Sequence, residues 1–87
     1  MKDDSIQSFK EKLDKEYEWP AIYMFKFIAP KAKVDELRAL FAHHNLKEKE
    51  SSNGNYISIT AELMMPSSDS IIDYYIKANK IEGIIAL

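Results

Sequence analysis

The sequence predicts an α+β domain: a four-stranded antiparallel sheet with two helices on one face, preceded by an extra N-terminal helix. Its 87 residues are enough for one domain. The composition, 46% hydrophobic and 30% charged, is typical of a globular chain. The clearest local pattern lies at residues 56–65, where apolar and polar side chains alternate as in a half-buried strand.

Residues 1–18 are predicted to form an N-terminal amphipathic helix or arm, and residues 19–87 the domain itself. The helix is expected over residues 5–17, with Ser5 as its N-cap. Its narrow apolar stripe consists of Ile6, Phe9, Leu13 and Tyr17. We expect this helix either to lie on the domain or to act as a partly ordered, partner-binding arm.

A first strand is predicted over residues 21–28, which are rich in aromatic and β-branched side chains. One face, expected to join the core, carries Tyr23, Phe25 and Phe27. The other face carries Ile22, Met24, Lys26 and Ile28. Because an unpaired lysine is costly to bury, this second face should meet water, a partner or an acidic neighbour.

A helix is predicted over residues 31–43, where apolar side chains recur at helical spacing. His43 and His44 fall at its C-terminal end. Adjacent side chains on a helix point about 100° apart, so these histidines do not form the pair one turn apart that chelates a metal. We expect both to be solvated.

The charged residues 46–52 are predicted to form an edge strand, because charge on an edge blocks aggregation. Asn53-Gly54 then indicates a type I′ hairpin turn. In the central strand that follows, one face is apolar and the other consists of Tyr56, Ser58, Thr60, Glu62 and Met64.

A second helix is predicted over residues 67–80, with an N-cap cluster at its start, and a final strand over residues 81–87. The resulting order, β-α-β-β-α-β after the first helix, is that of ferredoxin-like folds. Such a sheet is covered by helices on one side and open on the other.

The open side supplies the candidate interaction surface. Its predicted members are Ile22, Met24, Lys26, Ile28, Tyr56, Glu62 and Met64. Ile84 is expected to join them, and Lys26 is expected to pair with Glu62 across neighbouring strands. Soluble monomers rarely leave a large apolar patch bare, so either the N-terminal helix or a second subunit should cover it.

Three stretches of the chain carry motifs that resemble those of a known protein family: residues 19–26, 51–60 and 80–84. The most specific are an aromatic-Pro-x-x-aromatic-x-aromatic-Lys entry from Trp19 and a Ser-Ser-x-Gly-Asn-Tyr hairpin from Ser51. Together they resemble the YbeD-like family of uncharacterised bacterial proteins, over most of the chain from Trp19 onward. The resemblance implies a ferredoxin-like domain akin to ACT regulatory domains, without an established enzymatic activity.

The residues favour a function without catalysis. Cysteine is absent, which excludes disulfides and thiolate chemistry, and two glycines cannot form a Gly-rich phosphate loop. The one arginine, Arg38, lies inside a core helix. We therefore expect no enzyme activity, no cofactor and no metal site, and a regulatory or protein-interaction module instead.

Two alternatives stay open. One is an ACT-like sensor that binds an amino acid or metabolite at a subunit interface or near residues 29–32. The other is a weak RNA-binding sheet, although one aromatic, one cation and a net charge of −2 make a poor platform for bases. We expect the chain to bind a protein partner or to form a homodimer, and we do not expect it to bind nucleic acid or a membrane. With no signal peptide or apolar span in the sequence, we expect a cytoplasmic protein.

Overall fold

The structure, a computed structural model, describes residues 3–87, and side chains from residue 5 onward. In chain order its elements are α1 (Asp3–Glu16), β1 (Ala21–Pro30), a 3₁₀ turn (Lys31–Lys33), α2 (Val34–Leu40), β2 (Lys47–Glu50), β3 (Tyr56–Met65), α3 (Ser68–Ala78) and β4 (Ile85–Ala86). The strands form one antiparallel sheet in the order β2-β3-β1-β4. This confirms the predicted α+β ferredoxin-like fold with an extra N-terminal helix. Residues 1 and 2 of the predicted N-terminal segment lie outside the described residues.

The core lies between the sheet and the helices. Phe25 and Phe27 of β1 are fully buried, and so are Leu37 of α2 and Ile71 of α3. Burial alternates along β3, whose buried members are Ile57, Ile59, Ala61, Leu63 and Met65. Successive side chains of a strand point to opposite faces, so this alternation confirms the two faces predicted for β3.

The helix α1 packs against α3, in the helical layer. Leu13 is buried in the core, and the ring of Phe9 meets that of Tyr75 edge-on at 5.5 Å. The Lys10 ammonium donates to the hydroxyl of Ser68 at 3.1 Å and to the carboxylate of Asp69 at 3.0 Å. Because α1 is docked in this layer, it does not cover the open side of the sheet. The alternative in which the N-terminal helix covers that side is therefore wrong.

Two of the predicted helix ends are wrong and one is confirmed. Because α1 begins at Asp3, Ser5 lies inside it and the predicted N-cap is wrong. The helix predicted over residues 31–43 is a 3₁₀ turn plus α2, and it ends early: His43, just beyond, has a left-handed φ of 73°. At α3 the predicted N-cap cluster is confirmed, since the Ser67 hydroxyl accepts from the amide of Ser70 at 3.2 Å.

The β2–β3 hairpin has a longer loop than the predicted type I′ turn. Ser51 and Tyr56 are the last bonded pair, with the Ser51 amide donating to the Tyr56 carbonyl at 2.8 Å. Gly54 has a φ of 75°, whereas a type I′ turn would also need a positive φ at Asn53, which is not found. The Asn53 side chain instead accepts from Ser51 and from the amide of Asn55. These side-chain bonds stabilise the four-residue loop.

The final strand is much shorter than predicted. β4 pairs only Ile85 and Ala86 with β1, and the buried Ile81 lies in the turn that precedes it. Gly83 has a φ of 79°, and a Cβ there would lie 2.7 Å from the Cγ of Pro30. The apolar residues before β4 therefore pack as a turn against the core, and the strand predicted over residues 81–84 is wrong.

Candidate functional site

The open side of the sheet carries the seven side chains predicted as an interaction surface, and we call it the open face. Four of the seven are large hydrophobic residues with high exposure: Ile22 (60%), Met24 (55%), Tyr56 (42%) and Met64 (62%). Lys26 and Glu62 are exposed, and Ile28 is partly buried. The period-2 geometry of β1 and β3 brings them together, because the other face of each strand is in the core.

The predicted pair between Lys26 and Glu62 does not form. The register places Lys26 opposite Thr60 and Glu62 opposite Met24, so the two charges are diagonal neighbours two positions apart. Within the described part of the chain, neither takes part in an ion pair. The two side chains share a face, as predicted, but the register separates them.

The sequence reasoning missed two lysines of this face. β2 pairs Lys47 with Thr60 and Lys49 with Ser58, both of which are on the open side. The glutamates that alternate with these lysines point toward the helices. Glu48 accepts from Arg38 at 2.7 and 2.9 Å, and Glu50 accepts from Lys31 at 2.9 Å. The alternation Lys-Glu-Lys-Glu shows that the two lysines share a face, but not which side of the sheet that face is on.

Two apolar residues were also missed. Ile85 is opposite Ile28, and the amide of Leu87 donates to the carbonyl of Lys26 at 2.9 Å, so the end of the chain continues this side of the sheet. Ile85 is 49% and Leu87 63% exposed. The predicted member Ile84 lies instead in the turn before β4, where it packs against the core.

The open face is electropositive although the chain has a net charge of −2. Among the described side chains, Lys26, Lys47 and Lys49 lie on this face with one carboxylate, that of Glu62. None of these lysines forms an ion pair with a described residue. The three ammonium groups lie on β1 and β2, the two strands that flank β3, so they add up to one positive patch.

A groove of about 550 Å³ lies at one end of the open face, beside the β2–β3 hairpin. Its apolar lining comes from Ile28, Ile85 and the ring of Tyr56, and its polar lining includes Lys49 and Ser58. Glu50 also lines it, and the carboxylate of that residue is bonded to Lys31. The groove can therefore hold a small molecule with an apolar part and an anionic group.

Shifted pKa values lie in the helical layer and at its border, away from the open face. Hydrogen bonds from Arg38 hold the pKa of the Glu48 carboxyl below its ordinary value. Burial, together with the hydrogen bond to the Tyr23 hydroxyl at 2.9 Å, raises the pKa of Tyr75. Both groups are held by packing and pairing, which are structural roles.

The two histidines, expected from the sequence to be solvated, lie outside the open face. His43 and His44 are exposed and follow α2. Among residues 3–87, no group of three or more His, Cys, Asp or Glu side chains could hold a metal ion. Within the same residues, no helix has the length and apolar character needed to cross a membrane.

Comparison with known proteins identifies a family. A family model described as "Protein of unknown function (DUF493)" matches residues 14–87. This agrees with the resemblance to the YbeD-like family noted in the sequence. A search of curated proteins and a search of solved structures each found no match.

Proposed function

We propose that this chain, which belongs to the DUF493 family of proteins of unknown function, is a non-catalytic protein-interaction or regulatory module that binds a protein partner through its open face. The carrying observation is the exposure of large apolar side chains there. Ile22, Met24 and Met64 are each more than half exposed and adjoin one another at one end of the face. Contiguous apolar patches on a soluble domain are typical of interaction sites.

The charges of the face indicate the kind of partner. The minority of interface residues that cost more than about 1 kcal/mol when truncated cluster near the centre of a patch, whereas peripheral charges mainly set orientation and association rate. Lys26 and Lys47 border the apolar end, and Lys49 lies one row further along the sheet. None of the three forms an ion pair with a described residue. A partner segment with apolar anchors and neighbouring carboxylates would complement both features.

A second copy of the chain is a poorer complement. Stacking two open faces would bring two sets of three lysines into one interface, against only two Glu62 carboxylates. Like charges placed together across an interface cost several kcal/mol. RNA is disfavoured as well, because Tyr56 is the one aromatic side chain that we assign to this face in the described chain.

The chemistry of the face supports binding over catalysis. Its side chains are mostly aliphatic, thioether and lysine groups, and its hydroxyls are not placed beside a base. The Ser58 hydroxyl, for instance, donates to the carbonyl of Lys49 at 3.3 Å. A nucleophile is activated by a hydrogen bond to a general base, and this hydroxyl bonds to a backbone carbonyl instead.

The test compares one double substitution on the face with a matched change away from it. Met24→Glu with Met64→Glu places two charges at the apolar end, whereas Ile76→Glu places one on the exposed surface of α3, where Ile76 is 42% exposed. Tagged proteins are used to capture partners from lysate of the source cells, and captured proteins are quantified by mass spectrometry. We expect at least one partner protein to be captured by the wild type and by Ile76→Glu but not by the double variant.

Further readouts separate the competing partners. Light scattering of the purified chain reports a homodimer as twice the chain mass, and nuclease treatment before capture reports a partner held through RNA. Circular dichroism checks that both variants fold. Equal capture by all three proteins would contradict the proposal, and a wild-type dimer lost in the double variant would replace it with self-association.

A second candidate function is a small-molecule sensor. The observation that favours it is the groove beside the hairpin, with aliphatic residues at one side and Lys49 at the other. Thermal-shift measurements with amino acids and related metabolites test this candidate, since a ligand that binds only the folded state raises the melting temperature with concentration.

A further inference from the structure

The groove at the hairpin end of the open face is crossed by one row of the sheet. Ile85, Ile28, Ser58 and Lys49 are opposite one another on β4, β1, β3 and β2. Neighbouring strands lie about 4.8 Å apart, so Ile28 and Lys49 are separated by roughly 10 Å across the sheet. The row therefore changes from aliphatic to cationic over the length of a small organic molecule.

The cationic end of this row has a charge that no described residue neutralises. Lys49 lines the groove and forms no ion pair with the described part of the chain. Glu50 is the acidic residue among the described residues that line the groove, and its carboxylate is held by the Lys31 ammonium at 2.9 Å. Lys47 and Lys26, in the next row, add to the positive potential.

We propose that this groove binds a small organic monoanion: a carboxylate that pairs with Lys49 and a short apolar body that lies on Ile28 and Ile85 beside the Tyr56 ring. The inference rests on the sensor candidate. It is tested separately from the protein-interaction proposal, because Ile22, Met24 and Met64, the apolar side chains that carry that proposal, are at the other end of the face. An apolar lining with one placed charge is the usual composition of a small-ligand site.

The same residues argue against two other ligand classes. A zwitterion such as a free amino acid needs a carboxylate for its ammonium group, and Glu50 is already paired with Lys31. A phosphate monoester carries close to two negative charges and is usually held by several donors, whereas Lys49 is the one cationic side chain among the described residues that line the groove. A carboxylate with an uncharged body fits what is present.

The experiment is an NMR titration of the isotope-labelled chain with hexanoate, with hexanamide as the neutral analogue. We expect hexanoate to produce saturable chemical-shift changes at the backbone amides of Ile28, Ser58 and Ile85. Hexanamide should bind about two- to fivefold more weakly, which is the range of an exposed ion pair of about 0.5–1 kcal/mol. Raised salt should reduce the difference between the two compounds.

Two lysine variants sharpen the assignment. Lys49→Ala should weaken hexanoate by the same two- to fivefold and leave hexanamide unchanged. Lys47→Ala is the matched control, since Lys47 is on the same strand and side of the sheet but does not line the groove. Ile85→Ser should weaken both compounds. The amide spectrum of each variant reports whether the fold is retained.

Three results would overturn the inference. They are equal affinity for hexanoate and hexanamide, shift changes confined to residues outside the groove, and a larger loss in Lys47→Ala than in Lys49→Ala. None of these readouts involves Met24 or Met64. Failure here therefore leaves the protein-interaction proposal standing, and failure of the capture experiment leaves this one standing.

Discussion

The helix α1 should contribute measurably to the stability of the domain, and Leu13→Ala tests this. Leu13 is 4% exposed and belongs to the same buried cluster as the sheet and the other helices. Replacing a buried leucine by alanine costs about 2–5 kcal/mol, depending on how far the site can collapse. The neighbouring Ile6 and Phe9 are only partly buried, which allows relaxation, so we expect a loss of about 2–3 kcal/mol.

Urea unfolding followed by circular dichroism measures this loss. The midpoint should fall while the denaturant slope stays constant, and the melting temperature should decrease by about 10–20 °C for a domain of this size. Lys12→Ala is the matched control, because Lys12 is the exposed neighbour on the same helix, and we expect a change within about 0.5 kcal/mol. If Leu13→Ala and Lys12→Ala unfolded at the same denaturant concentration, α1 would not be docked and the packing argument would be refuted.

Two further predictions concern ionisation and backbone conformation. Arg38→Gln should destabilise the domain at neutral pH, and the difference in stability from wild type should shrink as the pH falls below about 4. The reason is that Arg38 depresses the pKa of Glu48 in the folded state, and the stabilisation from this pair is lost when Glu48 is protonated. A difference between the two unfolding curves that does not change with pH would contradict this. Gly54→Ala should cost about 1 kcal/mol for its positive φ alone, since its nearest neighbour would be 3.9 Å from the new Cβ. Gly83→Ala should cost at least about 2 kcal/mol, because its Cβ would also meet Pro30 at 2.7 Å; equal losses in the two variants, measured by urea unfolding, would show that the turn relaxes freely.

The two central strands were predictable from the sequence because each has one apolar face. In β3 the alternation at Ile57, Ile59 and Ala61 fixes which side enters the core, and a shift by one residue would expose all of them. The same argument applies to Phe25 and Phe27 of β1. Burial of one face therefore also determined which residues remain on the open side.

Features that depend on contacts between distant elements were not predictable. β2 has no apolar face, and its orientation is set by Arg38 and Lys31, which draw Glu48 and Glu50 toward the helical layer and leave the lysines outside. The offset of Lys26 from Glu62 likewise depends on the register between β1 and β3, which are joined through α2 and β2. A period within one strand carries no information about either.

The two ends of the open face suggest how binding at one could regulate the other. The row of Met64 and the row of Ser58 are six residues apart on β3, or about 20 Å at 3.4 Å per residue, so a partner on the apolar end need not fill the groove. A carboxylate bound at Lys49 would neutralise part of the charge that attracts an acidic partner, and such coupling is reciprocal. If both proposals hold, hexanoate should reduce capture of the partner, less so at high salt, and Lys49→Ala should abolish the effect of hexanoate. Capture that is insensitive to hexanoate in the wild-type protein would mean that the two ends act independently.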